Sequence, residues 1–441
     1  LPGPALATTP SLAQAASAFS SWSATATDAV SPLPTSRWDA DAHAAAGARL
    51  PIYARLAATL PGSRSFDAAA FAMPPEEAVN ADPHARLLLE LGAEALTAAG
   101  GDAWSGGGRQ HAGRAPVATF VGCMWASDFG SGDAAGLTSG LDDLAPASIT
   151  SNGPAFLAGR VAYALGLAGP TAAVDTACSS SLVAAHLAAG ALCPGRGGGG
   201  SASASASASS LAALVAGVNL FLSARSAAKI CRLAALAPDG RCKTLDAAAD
   251  GYGRGEAGCA LVVEAQERGG PPRPRLLALL AATAVNQGGR ASALTAPSGP
   301  AQTALLAAAR AEAASGATTD TTSIAGLVLH GTGTPLGDPI ELNAAATGLG
   351  SDGALIALSS PKAAVGHTEG TAGAVGLLAA LSVGGAARGP ALPIPNLRTL
   401  NPHAAAALTD WGATNGAGVG PAAPRQAGPG WAPAASLVGA S

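Results

Sequence analysis

The chain has 441 residues, 49% hydrophobic and 12% charged, so it can bury a large core and is too apolar to be disordered. Its net charge of −4 gives no electrostatic footprint for nucleic acid, and no uninterrupted apolar run is long enough to span a bilayer. Leu1-Pro-Gly-Pro4 lacks the basic and apolar regions of a signal peptide, and six cysteines without a CxxC spacing suggest neither a disulfide framework nor a zinc site. A reducing compartment, the cytoplasm, is the expectation.

Residues 1 to about 65 are weakly patterned, with Trp22 and Trp38 as expected anchors of small clusters. Asp82 to Leu96 reads as an amphipathic helix, with Leu87, Leu88 and Leu91 within it and Gly100-Gly101 as its stop. Val117 to Val121 reads as a buried strand. Asn152 to Tyr163 reads as a loop entering a helix. Gly195 to Ser210 is a glycine and Ser-Ala tract with no capacity to bury a core, so residues 193–210 are expected to form a flexible insertion. Leu214 to Leu222 and Cys259 to Val263 read as strands. The second half alternates strands (Ile324 to His330, Ala354 to Leu358) with helices (Ala301 to Ala314, Glu341 to Leu349, Gly370 to Leu381). Alternation in both halves predicts an α/β architecture.

One stretch carries chemistry of its own. Thr171 to Ala177 is small and partly β-branched, as a buried strand would be. Cys178 ends it. Ser179, Ser180 and Ser181 follow as helix-start residues, and Leu182, Val183, Leu187 and Ala188 recur at helical spacing. A lone cysteine is most often a small buried hydrophobe. Strand, sharp turn and helix around it make a nucleophile elbow, and the helix N-terminus predicts a lowered thiol pKa.

Two glycine patterns are decoys. Gly253-Arg-Gly-Glu-Ala-Gly258 fits GxGxxG but precedes a strand, so it fails the context of a dinucleotide loop. Gly331-Thr-Gly-Thr-Pro-Leu-Gly337 lacks the end of a phosphate loop.

His330 ends a strand, where α/β proteins place ligand chemistry, with the Thr332 and Thr334 hydroxyls beside it. Lys362 and His367 flank a tight Val-Gly before a helix of small residues. Each of these residues alone is more often structural. With Cys178 they suit carbon–carbon condensation of thioesters: a thiolate takes an acyl group, and imidazoles hydrogen-bond an enolate. Lys362 with Asp338 and Glu341 would balance charge in a buried polar network.

Val174-Asp-Thr-Ala-Cys-Ser-Ser-Ser-Leu182, His330-Gly-Thr-Gly-Thr…Gly-Asp-Pro-Ile-Glu341 and Lys362…Gly-His367-Thr-Glu-Gly resemble the three signatures of a β-ketoacyl synthase domain, most nearly the type I modular polyketide synthase form. Trp38-Asp, Asp82-Pro…Arg86-Leu-Leu-Leu-Glu90, Pro238-Asp-Gly-Arg-Cys-Lys243, Gly251-Tyr…Arg-Gly-Glu256 and Pro395-Asn-Leu…Asn-Pro-His403 extend the likeness along nearly the whole chain.

The resemblance implies a thiolase-like fold, two similar α/β halves in a five-layer α-β-α-β-α arrangement. Residues 1–235 would carry the nucleophile and 236–441 both histidines. It implies that Cys178 accepts an acyl chain from an acyl carrier protein, and that His330 and His367 assist decarboxylation of a malonyl-type extender. It places Lys362 with Asp338, Glu341 and Glu369 in a charge network, and Thr332 and Thr334 on the phosphopantetheine arm. The Cys178 N–H and a loop at Val438 would form the oxyanion hole. No metal, nucleotide or other cofactor is implied. The implied partners are the carrier protein, an acyltransferase and other domains of a larger synthase, and a second copy in a homodimer, without nucleic acid or membrane. The family's opening strand would precede Leu1, and its closing strand would follow Ser441. A non-elongating relative that only binds or passes on acyl chains, a fatty-acid-type ketosynthase and a thiolase are the other readings.

Overall fold

The computed structural model describes residues 28–39, 52–63, 65–99, 116–124, 150, 153–193, 212–265, 276–316, 324, 326–350, 356–385, 394–413 and 434–435. Trp22, the insertion tract and Val438 lie outside them.

In chain order the first part holds β1 (Val30–Pro32), β2 (Leu56–Ala58), α1 (Pro75–Asn80), α2 (Pro83–Ala98), β3 (Val117–Cys123), α3 (Pro154–Leu165), β4 (Thr171–Val174), α4 (Ser180–Leu192), β5 (Ala212–Asn219) and α5 (Ala224–Arg232). Then come β6 (Ala257–Glu264), β7 (Leu279–Leu280), α6 (Gly299–Gly316), β8 (Gly326–Val328), α7 (Gly337–Leu349), β9 (Ala357–Ser359), α8 (Lys362–Val365), α9 (Ala372–Gly385), α10 (Pro402–Ala413) and β10 (Ala434–Ala435).

The main sheet runs β4-β3-β5-β6. The first two pairings are parallel and β5–β6 is antiparallel. Successive side chains on a strand face opposite ways, and two cores result. Val121, Leu214, Ala216 and Val218 pack with Leu88, Leu89, Leu157 and Val161 of α2 and α3. Ala118, Phe120, Ala213 and Val215 pack with Ala184, Ala185 and Ala188 of α4 and with Leu377 of α9. Helix α2 starts where the sequence predicts: Asp82 caps it by accepting the His84 N–H at 2.8 Å, and Pro83 needs no donor there.

Helix α9 also lies on β8, which pairs in parallel with β9. Leu327 and Leu358 of that pair face Leu342 and Leu349 of α7 and Leu408 and Trp411 of α10. The layers are therefore α2/α3, the main sheet, α4/α9, β8/β9 and α7/α10, the five expected. Strand β6, which completes the main sheet, lies downstream of the expected boundary at 235/236.

Helix α4 approaches β3 closely. A side chain at Gly122 would put its Cβ 2.4 Å from the Ser181 nitrogen. Gly122→Ala is expected to lower the urea midpoint, with a loss of about 1–3 kcal/mol at unchanged slope.

Candidate active site

The turn into α4 is strained and braced. Ala177 holds φ +55°, a left-handed conformation unfavourable for a residue with a Cβ. Strand β4 stops at Val174, short of the expected Ala177, because the turn begins there. Asp175 Oδ1 accepts the Ala177 N–H at 3.0 Å. Ser180 Oγ accepts the Thr176 N–H at 2.9 Å and donates to the Ala177 carbonyl at 2.6 Å. Ser179 Oγ donates back to the Thr176 carbonyl at 2.8 Å. Ser181 Oγ accepts the Ala374 N–H of α9 at 3.0 Å. The three serines thus lock the elbow and join the two central helices, and none caps α4 through its side chain in the usual way.

The elbow brings Cys178 to the two histidines. Cys178, His330 and His367 each offer one sulfur or ring nitrogen, and these three atoms lie within 4.8 Å of one another. The two imidazole rings are perpendicular, with centroids 5.4 Å apart, and Tyr252 packs edge-on to His367 at 5.2 Å. Lys362 is buried at the start of α8.

Burial and the Lys362 charge set the protonation states. Burial, then Lys362, holds His330 well below its ordinary pKa. His367 is lowered likewise by burial, then Lys362, His330 and Arg254. Both rings are neutral at pH 7. Burial lowers Lys362 too, while Glu341, Cys178, Cys242 and Asp338 favour its charge. The expected fall in the Cys178 pKa is not found. Burial pushes the thiol up, and the pull from Lys362 only offsets part of that. A helix N-terminus is visible in sequence, but the loss of solvent around the sulfur is not.

The acids near His330 brace loops. Glu341, pushed up to about 7 chiefly by burial, accepts the N–H groups of His330 (2.5 Å) and Gly331 (2.9 Å). Asp338, also raised by burial, accepts those of Leu245 (2.8 Å), Gly333 (3.1 Å) and Thr334 (3.4 Å). Thr334 Oγ1 accepts the Gly337 N–H at 3.1 Å where α7 starts, and lies 3.5 Å from Thr332 Oγ1. The Glu369 carboxylate pairs with Arg254, which no sequence motif singles out for the site. The rejected Gly253–Gly258 pattern lies against the second histidine: Gly253 O accepts the His367 N–H at 2.6 Å, and the Gly255 N–H donates to His367 O at 2.8 Å.

Cysteine and two imidazoles are also a metal-ligand set. The set fits an ion poorly. His367 Nδ1 accepts the Glu369 N–H at 3.0 Å, so the proton of the neutral ring is on Nε2, which is then a donor and no ligand. The arrangement can form a thioester on Cys178 and stabilise an anionic oxygen with imidazole N–H groups.

Five layers with a cysteine elbow and two histidine loops between central helices define a thiolase-like condensing enzyme. The family description "Beta-ketoacyl synthase, N-terminal domain" matches residues 5–268, and "Beta-ketoacyl synthase, C-terminal domain" matches residues 277–383. The chain belongs to the β-ketoacyl synthase family. It is 39% identical over 389 residues to a phenolphthiocerol/phthiocerol polyketide synthase of Mycobacterium tuberculosis, covering 86% of this chain and 16% of that protein. It is 38% identical over 359 residues to the pikromycin polyketide synthase component PikAII of Streptomyces venezuelae, covering 80% and 9%. The chain thus spans less than a quarter of the length of these curated relatives. Among solved structures it resembles the oxazolomycin ketosynthase domain OzmH KS7 of Streptomyces albus JA3453, with a TM-score of 0.73 and 28% identity over 89% of this chain and 64% of that one. It also resembles the ketosynthase from module 6 of the bacillaene synthase of Bacillus subtilis 168, with a TM-score of 0.67 and 29% identity over 88% and 61%.

Alkylation of Cys178 by iodoacetamide should rise with pH to a midpoint above that of an ordinary free thiol. Lys362→Met, which removes the opposing charge, should move the midpoint higher still. A midpoint near neutrality would contradict the burial argument.

Proposed function

We propose that the chain elongates a polyketide by decarboxylative Claisen condensation. The supporting observation is the meeting of Cys178, His330 and His367 within 4.8 Å beside a buried Lys362. In the first step the Cys178 sulfur attacks the thioester carbonyl of an acyl chain on a carrier protein. The carbon–sulfur bond to the carrier breaks, the carrier thiol leaves with the proton, and the acyl group stays on Cys178. The Cys178 N–H, with a second donor expected at Val438, is assigned to the tetrahedral oxyanion.

In the second step a malonyl-type thioester enters on the phosphopantetheine of the carrier, its arm held by Thr332 and Thr334. Carbon dioxide leaves, and the electron pair of the broken bond becomes an enolate. His330 and His367 each donate an N–H to its oxygen. Both are neutral, so each keeps one N–H for that donation. The enolate carbon attacks the acyl-Cys178 carbonyl. The sulfur departs and takes up one proton, leaving a β-ketoacyl chain on the carrier. Lys362 supplies positive charge near the sulfur, and Glu341 and Asp338 hold the His330 loop in place. No cofactor of the chain's own enters either step.

The same reading assigns a carrier protein, an acyltransferase and further domains of a larger synthase as partners, in the cytoplasm. It assigns a homodimer as well; β4 has a neighbour on one side only among the described residues. Among them no helix is long and apolar enough to cross a membrane. Residues 1–235 and 236–441 are taken as the two halves of one catalytic domain. The presence of both imidazoles favours elongation over simple acyl transfer, since transfer alone needs no enolate stabiliser.

Mass spectrometry of protein incubated with an acyl thioester and malonyl carrier tests this. Wild-type protein should gain the acyl mass on Cys178 and release a lengthened β-ketoacyl carrier. Cys178→Ala should abolish loading. His330→Ala should load and lose condensation by roughly 10²–10³-fold, the scale of one removed oxyanion donor. Loading without any condensed product from the wild type would leave only the acyl-transfer reading.

A further inference from the structure

We propose that Arg254 is a positioning residue for His367: its ion pair with Glu369 holds the backbone turn that presents this imidazole as the Nε2–H tautomer. The inference deepens the role given to His367 above and rests on it for its kinetic consequence.

The tautomer depends on one hydrogen bond. The Glu369 N–H can only donate, and it lies 3.0 Å from His367 Nδ1. That nitrogen must present a lone pair, so the ring's single proton stays on Nε2. Without this bond both tautomers become available, and one of them turns a lone pair toward the enolate oxygen instead of a proton. Repulsion would then replace stabilisation.

The turn that supplies this N–H is not self-supporting. Glu369 holds φ +46°, a left-handed conformation unfavourable for a residue with a side chain. Such strain persists only where the surroundings over-determine it. Arg254 provides that determination twice. Its guanidinium forks onto the Glu369 carboxylate, Nε to Oε1 at 2.7 Å and Nη2 to Oε2 at 3.1 Å. Both residues are buried, so water does not screen the pair. The guanidinium carbon lies 4.4 Å from the Phe221 ring centroid, which fixes the plane of the fork. The main chain around Arg254 also grips the turn, through Gly253 O and the Gly255 N–H on either side of His367. Contact here is close enough that a Cβ on Gly366, at φ +69°, would come 2.6 Å from the Arg254 carbonyl oxygen.

The test pairs kinetics with the state of the ring, using Arg254→Met, Glu369→Ala and the double variant in the full chain. The ring nitrogens of His367 are read from ¹⁵N-histidine spectra. In the wild type Nδ1 should be pyridine-like and Nε2 pyrrole-like. In Arg254→Met the two signals should move toward each other, condensation should fall by roughly 10²-fold, the scale of a misplaced catalytic group, and acyl loading should fall far less. Arg254→Lys, which keeps the charge without the fork, should lose less than Arg254→Met. The double variant should lose no more than either single one, because the pair acts as a unit.

Unchanged condensation and an unchanged ring spectrum in Arg254→Met would overturn the proposal. Should that variant not fold, full condensation with the wild-type ring spectrum in Glu369→Ala would do so. If the wild type loads but never condenses, the elongation reading fails, and the ring spectra still decide whether Arg254 sets the tautomer.

Discussion

A buried ammonium governs this site. Removing an ion from water costs several kcal/mol unless partners replace the solvent. Lys362 has the carboxylates of Glu341 and Asp338 within electrostatic reach, together with the Cys178 sulfur. Burial first, and then its positive charge, keep both imidazoles neutral. A neutral ring always keeps one N–H, and two such rings around one sulfur give donors for an oxygen that becomes negative. The same charge draws the thiol toward ionisation while burial opposes it. Burial prevails over the lysine, and the thiol stays above its ordinary pKa.

Much of the architecture is legible in the sequence. Buried strands such as Val117–Cys123 and Ala212–Asn219 are continuous apolar runs, and helix α2 carries its cap and proline in the open. The motifs around Cys178, His330 and His367 single out three residues that the fold brings together. Strand ends are less legible. Ile324 to His330 shortens to Gly326–Val328 because the chain leaves the sheet to place the histidine. Helix α5 is absent from the sequence expectations although Ala224–Arg232 is strongly amphipathic: it is short, and its apolar Ala227, Ala228, Ile230 and Cys231 pack with Trp38 and Ile52.

The unread parts of the site share one cause. Glu369 and Arg254 are 115 positions apart, so no local pattern joins them. The thiol pKa depends on how much water the assembled layers exclude, and that belongs to the packing. Thr334 shows the reverse case: its hydroxyl is occupied at a helix start, a role that residue type and position could have suggested. The three serines after Cys178 look like capping residues, yet their hydroxyls face the turn behind them and the neighbouring helix.

The return of β6 to the first sheet affects how the chain can come apart. That strand comes from beyond the point where the two halves divide, and it is paired along its length with β5. The segment leading into it also bridges β2 at Ala58 and the second histidine at His367. The first sheet is therefore laced to the later part of the chain, because it is complete only with a strand supplied from beyond the boundary. The catalytic cleft is a product of that interlocking, because the strand that completes the first half's sheet is continuous with the loop that holds the second half's histidine.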